Sequence, residues 1–239
     1  MPFPQREDPT VRSTTTDTRP GWLEILVGGI AYAAAFLATF VLLRIIPDDQ
    51  TVLAGQAALA LSGLMGLFAF AAAVAVRIRG LGAFGIRRAS WGWLLAGAGL
   101  GVAAFVLGIV ASLLFIGITG DGQNVQGDYQ SAAAGGLLAY LGTLVFGAVV
   151  TPLGEEFLFR GVLFNALQRY GAWVGVLASA AVFALAHGIN PVLPVAFIVG
   201  VITALLFRKT QSVWPGVVVH GVNNALATTV PLLLAGVAG

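Results

Sequence analysis

The chain has 239 residues, of which 58% are hydrophobic and 9% charged, with a mean hydropathy of +0.93 and a formal net charge of +2. Soluble domains carry about 25% charged residues, so this composition excludes a water-soluble fold of this size. The chain contains no cysteine, which excludes disulfides, thiol nucleophiles, cysteine-zinc sites and iron–sulfur ligation.

In chain order, residues 1–20 are polar and rich in Pro and Thr. They are expected to form a disordered cytoplasmic tail, with 21–239 a single transmembrane helical domain. The first apolar run begins late and continues to Ile46, too long for a cleaved signal sequence. Seven apolar segments follow at 22–46, 53–76, 91–119, 132–153, 172–187, 192–207 and 213–235. Each is long enough, or nearly so, for a hydrocarbon core of about 30 Å. The fold class is therefore all-α, a polytopic membrane helix bundle of about seven to eight transmembrane helices. The fifth and sixth segments are short, which suits tilted, buried or re-entrant pieces. The stretch 154–169 continues the fourth segment past Pro152, and an eighth crossing would lie there. Gly97 and Gly101 form a small-xxx-small spacing. It serves either a dimer face or, the reading favoured here, close packing within the bundle.

With the N-terminus in the cytoplasm, alternation gathers Arg6, Arg12, Arg19, Arg77, Arg79, Arg87, Arg88, Arg160, Arg169, Arg208 and Lys209 on the cytoplasmic side. Only Arg44 falls on the other side, with Asp48, Asp49, Asp121 and Asp128. Trp22, Trp91, Trp93, Trp173 and Trp214 all fall at cytoplasmic segment ends. This is the positive-inside pattern with an aromatic belt. It predicts a multi-pass cell-membrane protein, and it assigns the cations to topology and not to nucleic-acid binding.

Residues 151–160 read Thr-Pro-Leu-Gly-Glu-Glu-Phe-Leu-Phe-Arg. Charges at membrane depth are costly and usually functional. On a helix, Glu156 and Arg160 share a face at i, i+4, while Glu155 is turned about 100° away. Pairing Glu156 with Arg160 leaves Glu155 free for proton transfer. The alternative is a purely structural ion cluster. Tyr170-Gly171 is a turn signal. Glu155 lies about 15 residues before it and His187 about 16 after it, so an antiparallel hairpin levels them roughly 23–24 Å from the turn. His187 otherwise reads as a satisfied core histidine. Phe183 shares its face, as core or as pocket wall. His220 and Asn224 share a face of the last segment and offer two donors of the kind an oxyanion needs. The alternative for them is interhelical hydrogen bonding. Asn223 points to another face and reads as such a bond.

These residues resemble, in order, the three motifs of the CAAX-protease and bacteriocin-processing (CPBP, or Abi) family of intramembrane endopeptidases. The motifs are Glu155-Glu156-x-x-x-Arg160, Phe183-x-x-x-His187 and His220-x-x-x-Asn224. The resemblance covers about 132–234, the expected protease-like core. It implies that Glu155 and His187 activate a water, that His220 and Asn224 form the oxyanion hole, and that Glu156 and Arg160 are structural. It also implies a membrane-tethered substrate, of prenylated CAAX-like or bacteriocin type, reached from the cytoplasm. No cofactor is expected. The alternative is zinc held by Glu155, His187 and His220, although the chain has no HExxH. The expected partners are membrane lipid and that substrate. The competing reading is a non-catalytic membrane binding or immunity protein of the same fold, and a proton-coupled transporter ranks below it.

Overall fold

A computed structural model describes residues 19–78 and 80–238. The tail expected over 1–20 lies outside these residues except for its last two, as do Arg6, Arg12 and Arg79. Among the described residues the regular elements are all helical. In chain order they are α1 (Trp22–Leu43), α2 (Thr51–Val76), α3 (Trp91–Thr119), α4 (Gly127–Ala134), α5 (Leu137–Tyr170), α6 (Ala172–Ala186), α7 (Leu193–Thr210) and α8 (Trp214–Ala238). Six of these are long and apolar enough to cross a membrane, and α6 is a shorter apolar helix. The molecule is thus a polytopic helical membrane bundle.

Two boundaries differ from expectation. Residues 132–134 belong to the short α4 and not to the fourth span. Gly135-Gly136 separates them, and Gly136 adopts φ 106°, a conformation open chiefly to glycine. Beyond Pro152 the helix neither stops nor starts a new crossing, and α5 runs 34 residues without interruption. Proline lacks an N–H and normally breaks a helix. Here the preceding turn, Phe146–Val150, is π-helical, and Thr151 gives its N–H to the Phe146 carbonyl five residues back. A second π stretch covers Phe157–Phe164. Turns of this kind concentrate at functional sites.

Glycines set how closely the helices approach. A Cβ at Gly154 would overlap the Gly63 carbonyl oxygen, and one at Gly63 would lie 2.5 Å from the Val150 carbonyl. Helices α2 and α5 therefore cross backbone to backbone immediately before Glu155. A Cβ at Gly97 would meet the Pro215 carbonyl at 2.8 Å, and one at Gly101 the Val219 carbonyl at 2.7 Å. The Gly97/Gly101 pair thus packs α3 on α8 inside the bundle, as the favoured reading had it.

The two ends of the bundle differ. At the end holding Arg77, Arg87, Arg88, Arg169, Arg208 and Lys209, Glu24 pairs with Arg77 at 2.7 Å and Trp22 Nε1 donates to Tyr170 Oη at 2.6 Å. A 3-10 turn, Leu81–Phe84, folds under this end, and the Gly85 carbonyl accepts from Val213 N. There Phe164, Phe207 and Val213 pack with Ile86, Phe157 and Trp214 into an apolar plug. Arg160 is not part of this cationic end, contrary to expectation. It is 1% exposed and lies deep in α5, because its partner Glu156 is on the same helix. The opposite end carries Asp48, Asp49, Asp121 and Asp128. It is tied by Gln56 Nε2 donating to the Ala139 carbonyl (2.8 Å), Tyr140 to Thr229 (2.8 Å) and Ser112 Oγ donating to the Pro191 carbonyl (2.6 Å).

Gly154→Ala is expected to destabilise the bundle by about 1–3 kcal/mol through overpacking, read as a lower unfolding midpoint in detergent. Gly99→Ala, where an added Cβ meets nothing within 4 Å, is the matched control and should leave the midpoint in place.

Candidate active site

The site starts from the charge pair in α5. Arg160 Nη1 lies 3.2 Å from Glu156 Oε1, with both side chains buried (1% and 0% exposed). The guanidinium also lies over the Phe183 ring, 4.5 Å from its centroid, a cation–π contact strengthened by desolvation. Glu156 Oε1 lies 3.3 Å from His220 Nδ1. A Cβ at Gly216 would meet Glu156 Oε2 at 2.7 Å, so the carboxylate reaches α8 because residue 216 has no side chain.

Glu155 is placed differently. Arg160 is not among its ion-pair partners. It accepts from Ser62 Oγ at Oε1 (3.3 Å), and its Oε2 faces His220 Nε2 at 3.7 Å. The spacing argument for two carboxylates with different partners therefore matches the geometry. His220 lies between them, with one ring nitrogen toward each.

The second histidine enters from α6, which ends at Ala186 and leaves His187 at its C-cap. His187 Nδ1 donates to the Phe183 carbonyl at 2.9 Å, since a carbonyl only accepts. This leaves Nε2 as the ring nitrogen with a free lone pair. The Phe183 ring meets His187 edge to face (4.8 Å) and His220 likewise (5.7 Å). It is 1% exposed and belongs to both the core and the cavity wall.

Asn224 is anchored by a carbonyl that the π turn releases. Thr151 bonds to Phe146 and Pro152 has no N–H, so the Gly147 carbonyl lacks its usual helical donors. It accepts from Asn224 Nδ2 at 2.9 Å. Asn223 Nδ2 donates in turn to Asn224 Oδ1 at 3.1 Å. The two bonds together fix which end of the Asn224 amide is which, and one N–H remains for another acceptor.

Glu155, Phe183, His187, His220 and Asn224 all line one cavity of about 530 Å³. Glu156 and Arg160 lie behind its wall. Asn223, which the spacing sent to another face, lines it as well and is 5% exposed. Four participants lie outside the motifs. They are Ser62 on α2, the Gly147 carbonyl, Gly216, and Tyr129 on α4, which faces the cavity. Burial first, and the Glu155 charge second, push the Tyr129 phenol above its usual range, so it stays a neutral donor. A serine in an apolar run and a tyrosine on a short helix between spans gave no signal in the sequence.

The cavity also has a direction within the bundle. It extends from Glu155 past Val192 on the α6–α7 connection to Gln126 and Gln130 on α4, and between Leu113 and Leu234. It therefore opens toward the acidic end. The aromatic plug closes the cationic end, and α6 stops short enough to leave space above His187. Both histidines have Nδ1 held by an acceptor, as metal-binding histidines commonly do. Among the described residues, however, no three His, Asp or Glu side chains are grouped to hold a metal ion.

Residues 137–226 match the family model of the type II CAAX prenyl endopeptidase Rce1-like proteins. The chain is 26% identical over 142 residues to YdiL of Bacillus subtilis, named as a candidate membrane peptidase, covering 58% of this chain and 56% of that protein. It is 33% identical over 97 residues to the membrane-embedded CAAX protease MroQ of Staphylococcus aureus, covering 38% and 39%. The chain thus spans about half or less of the length of these relatives. No solved structure matches at a significant level. The motif order, the family model and the two relatives together make residues 137–226 similar to the CPBP family of membrane proteases.

Proposed function

We propose that the chain is an intramembrane endopeptidase that hydrolyses a peptide bond of a membrane-tethered substrate. The observation that carries this reading is the division of labour between adjacent carboxylates. Glu156 is held by Arg160 and His220, while Glu155 faces His220 and lines a cavity that His187 also lines. A structural ion cluster has no use for a second carboxylate without a cation of its own, since a buried charge lacking a counter-charge is costly.

In the proposed reaction a water bound between Glu155 and His187 loses a proton to Glu155 as its oxygen attacks the scissile carbonyl carbon. His187 Nε2 accepts a hydrogen bond from this water and orients it. The carbonyl π electrons move to oxygen, and the resulting oxyanion accepts hydrogen bonds from the free Asn224 N–H and from Nε2–H of His220, whose Nδ1–H stays on Glu156 in this doubly protonated form. Collapse breaks the C–N bond, and Glu155 returns its proton to the leaving amine. Ser62 holds Glu155 in position through Oε1. Glu156, Arg160 and Phe183 hold the histidine-bearing helices against α5. The chemistry is proposed to be glutamate-based and metal-free, because zinc hydrolysis would want a free second carboxylate and Glu156 is held by Arg160. The Nδ1 contacts of both histidines favour the zinc alternative. Full activity of purified protein without stoichiometric zinc decides for the glutamate mechanism, and loss of activity on chelation with recovery on zinc addition decides against it.

Glu155→Gln is expected to lower cleavage by about 10²–10⁴-fold, the usual range for a lost general base, while its unfolding midpoint stays near wild type. The check is to compare new peptide termini in membranes of cells making either form at equal levels. Identical profiles would sink the peptidase reading and support the binding-protein alternative. Asn224→Ala is expected to cost about 10²–10³-fold, the scale of one oxyanion donor. Glu156→Gln behaves differently. It leaves the Arg160 guanidinium buried without its counter-charge, and should destabilise the fold by about 3–5 kcal/mol, seen in detergent unfolding.

A further inference from the structure

We infer that the cavity is reached from the non-cytoplasmic side of the membrane, so that its substrate is a peptide tethered in, or emerging from, the outer leaflet. The peptidase reading supplies the nature of the ligand, whereas the access route stands on cavity geometry and charge placement.

The first observation is the direction of the cavity. Its deepest polar groups are Glu155, near the middle of α5, and His220, six residues beyond the start of α8. From there its walls are the far halves of α3 and α8, past Ser112 and Thr228, and its roof is α4 with Gln126 and Gln130. Leu113 and Leu234 both line it and are 63% and 66% exposed. The cavity therefore continues to the lipid-facing surface between α3 and α8, as a tethered substrate requires. The second observation is the closed opposite end, where the plug around Phe164, Phe207 and Trp214 lies between the site and the cationic loops. The third is charge. Arg77, Arg87, Arg88, Arg169, Arg208 and Lys209 lie at the plugged end, and the aspartates lie at the open end with Arg44 as their one described cation. The positive-inside rule places the plugged end in the cytoplasm. A carboxy-terminal tail presented from the cytoplasm meets the plug, whereas a segment on the outer side meets the amide-lined roof and a route to Glu155.

The absence of cysteine makes the test direct. Full-length single-cysteine variants are made at Gln126, Gln130 and Thr228, and at Gly82 and Ser90 on the plugged end, where no charge is altered. Each is treated with a small membrane-impermeant methanethiosulfonate in intact cells and in inverted membrane vesicles. Gln126→Cys, Gln130→Cys and Thr228→Cys are expected to react fully in intact cells. Gly82→Cys and Ser90→Cys are expected to react only in inverted vesicles. The reverse pattern overturns the orientation. Reaction of Thr228→Cys only from the Gly82 side, or from neither side, overturns the route. Ala227→Cys, on the same cavity wall, replaces Thr228→Cys if that variant does not accumulate. The labelling needs no substrate. Outer labelling with unchanged peptide termini would retire the peptidase reading and leave the route standing. Inner labelling with wild-type cleavage would do the opposite.

Discussion

The guanidinium of Arg160 is the constraint on which the rest of the structure depends. An arginine 1% exposed in the middle of a 34-residue apolar helix persists only with a counter-charge and a desolvated partner surface. Glu156 is the counter-charge and the Phe183 face is the surface. Phe183 brings α6 with it, and hence His187 at the end of that helix. Glu156 also reaches His220 on α8, across the gap left by Gly216. One buried cation thus positions three helices. It occupies Glu156 in doing so, and Glu155 is left for the cavity.

A second device, built from backbone, positions the last motif residue. Proline in mid-span would ordinarily cost a helix about 3 kcal/mol. Here the cost is offset by a π turn that rearranges the bonding before Pro152 and leaves the Gly147 carbonyl to an amide side chain. Asn224 therefore gains a fixed orientation from α5 although it sits on α8. The close crossing at Gly63 and Gly154 acts in the same direction. It brings α2 near enough for Ser62 to reach Glu155. These backbone features put the side chains within ångströms of each other, and none of them is a motif residue.

Much of the site was legible in the sequence, because helical spacing alone assigns side chains to faces. The i, i+4 pairing of Glu156 and Arg160, and the expectation that a hairpin brings Glu155 and His187 to one place, needed only helix geometry, and Glu155 and His187 both line one cavity. What was not legible depends on departures from a regular α-helix or on contacts between helices distant in sequence. The helical step assigns Asn223 a face of α8, but whether that face meets the cavity depends on how α8 packs against the other helices. The continuation of the helix past Pro152 was legible, whereas the eighth crossing suggested at 154–169 does not form, since that stretch completes the single span Leu137–Tyr170. Ser62 and Tyr129 act through contacts to residues about 90 and 25 positions away, for which a single sequence holds no periodic signal. Cavity direction belongs to the same class, since it depends on how α3 leaves α8 beyond Gly101 and turns toward α7.

Hydrolysis at membrane depth poses a supply problem that bears on this direction. Water has to reach Glu155, and the extended backbone of a substrate brings unpaired N–H and C=O groups that lipid cannot satisfy. Both needs are met by a polar path and neither by a hydrophobic plug. At the cationic end the layer next to the site is phenylalanine, valine and tryptophan. At the acidic end it is glutamine, serine, threonine and tyrosine, interleaved with aliphatic side chains. The same asymmetry that lets the charges orient the bundle therefore also selects the face from which water and peptide arrive. A cytoplasmic substrate would require the plug to open, and the plug holds the aromatic contact between Trp214 and Phe157, the residue that follows Glu156. Opening it would disturb the helix turn that carries both carboxylates. Access from the acidic end leaves that turn intact.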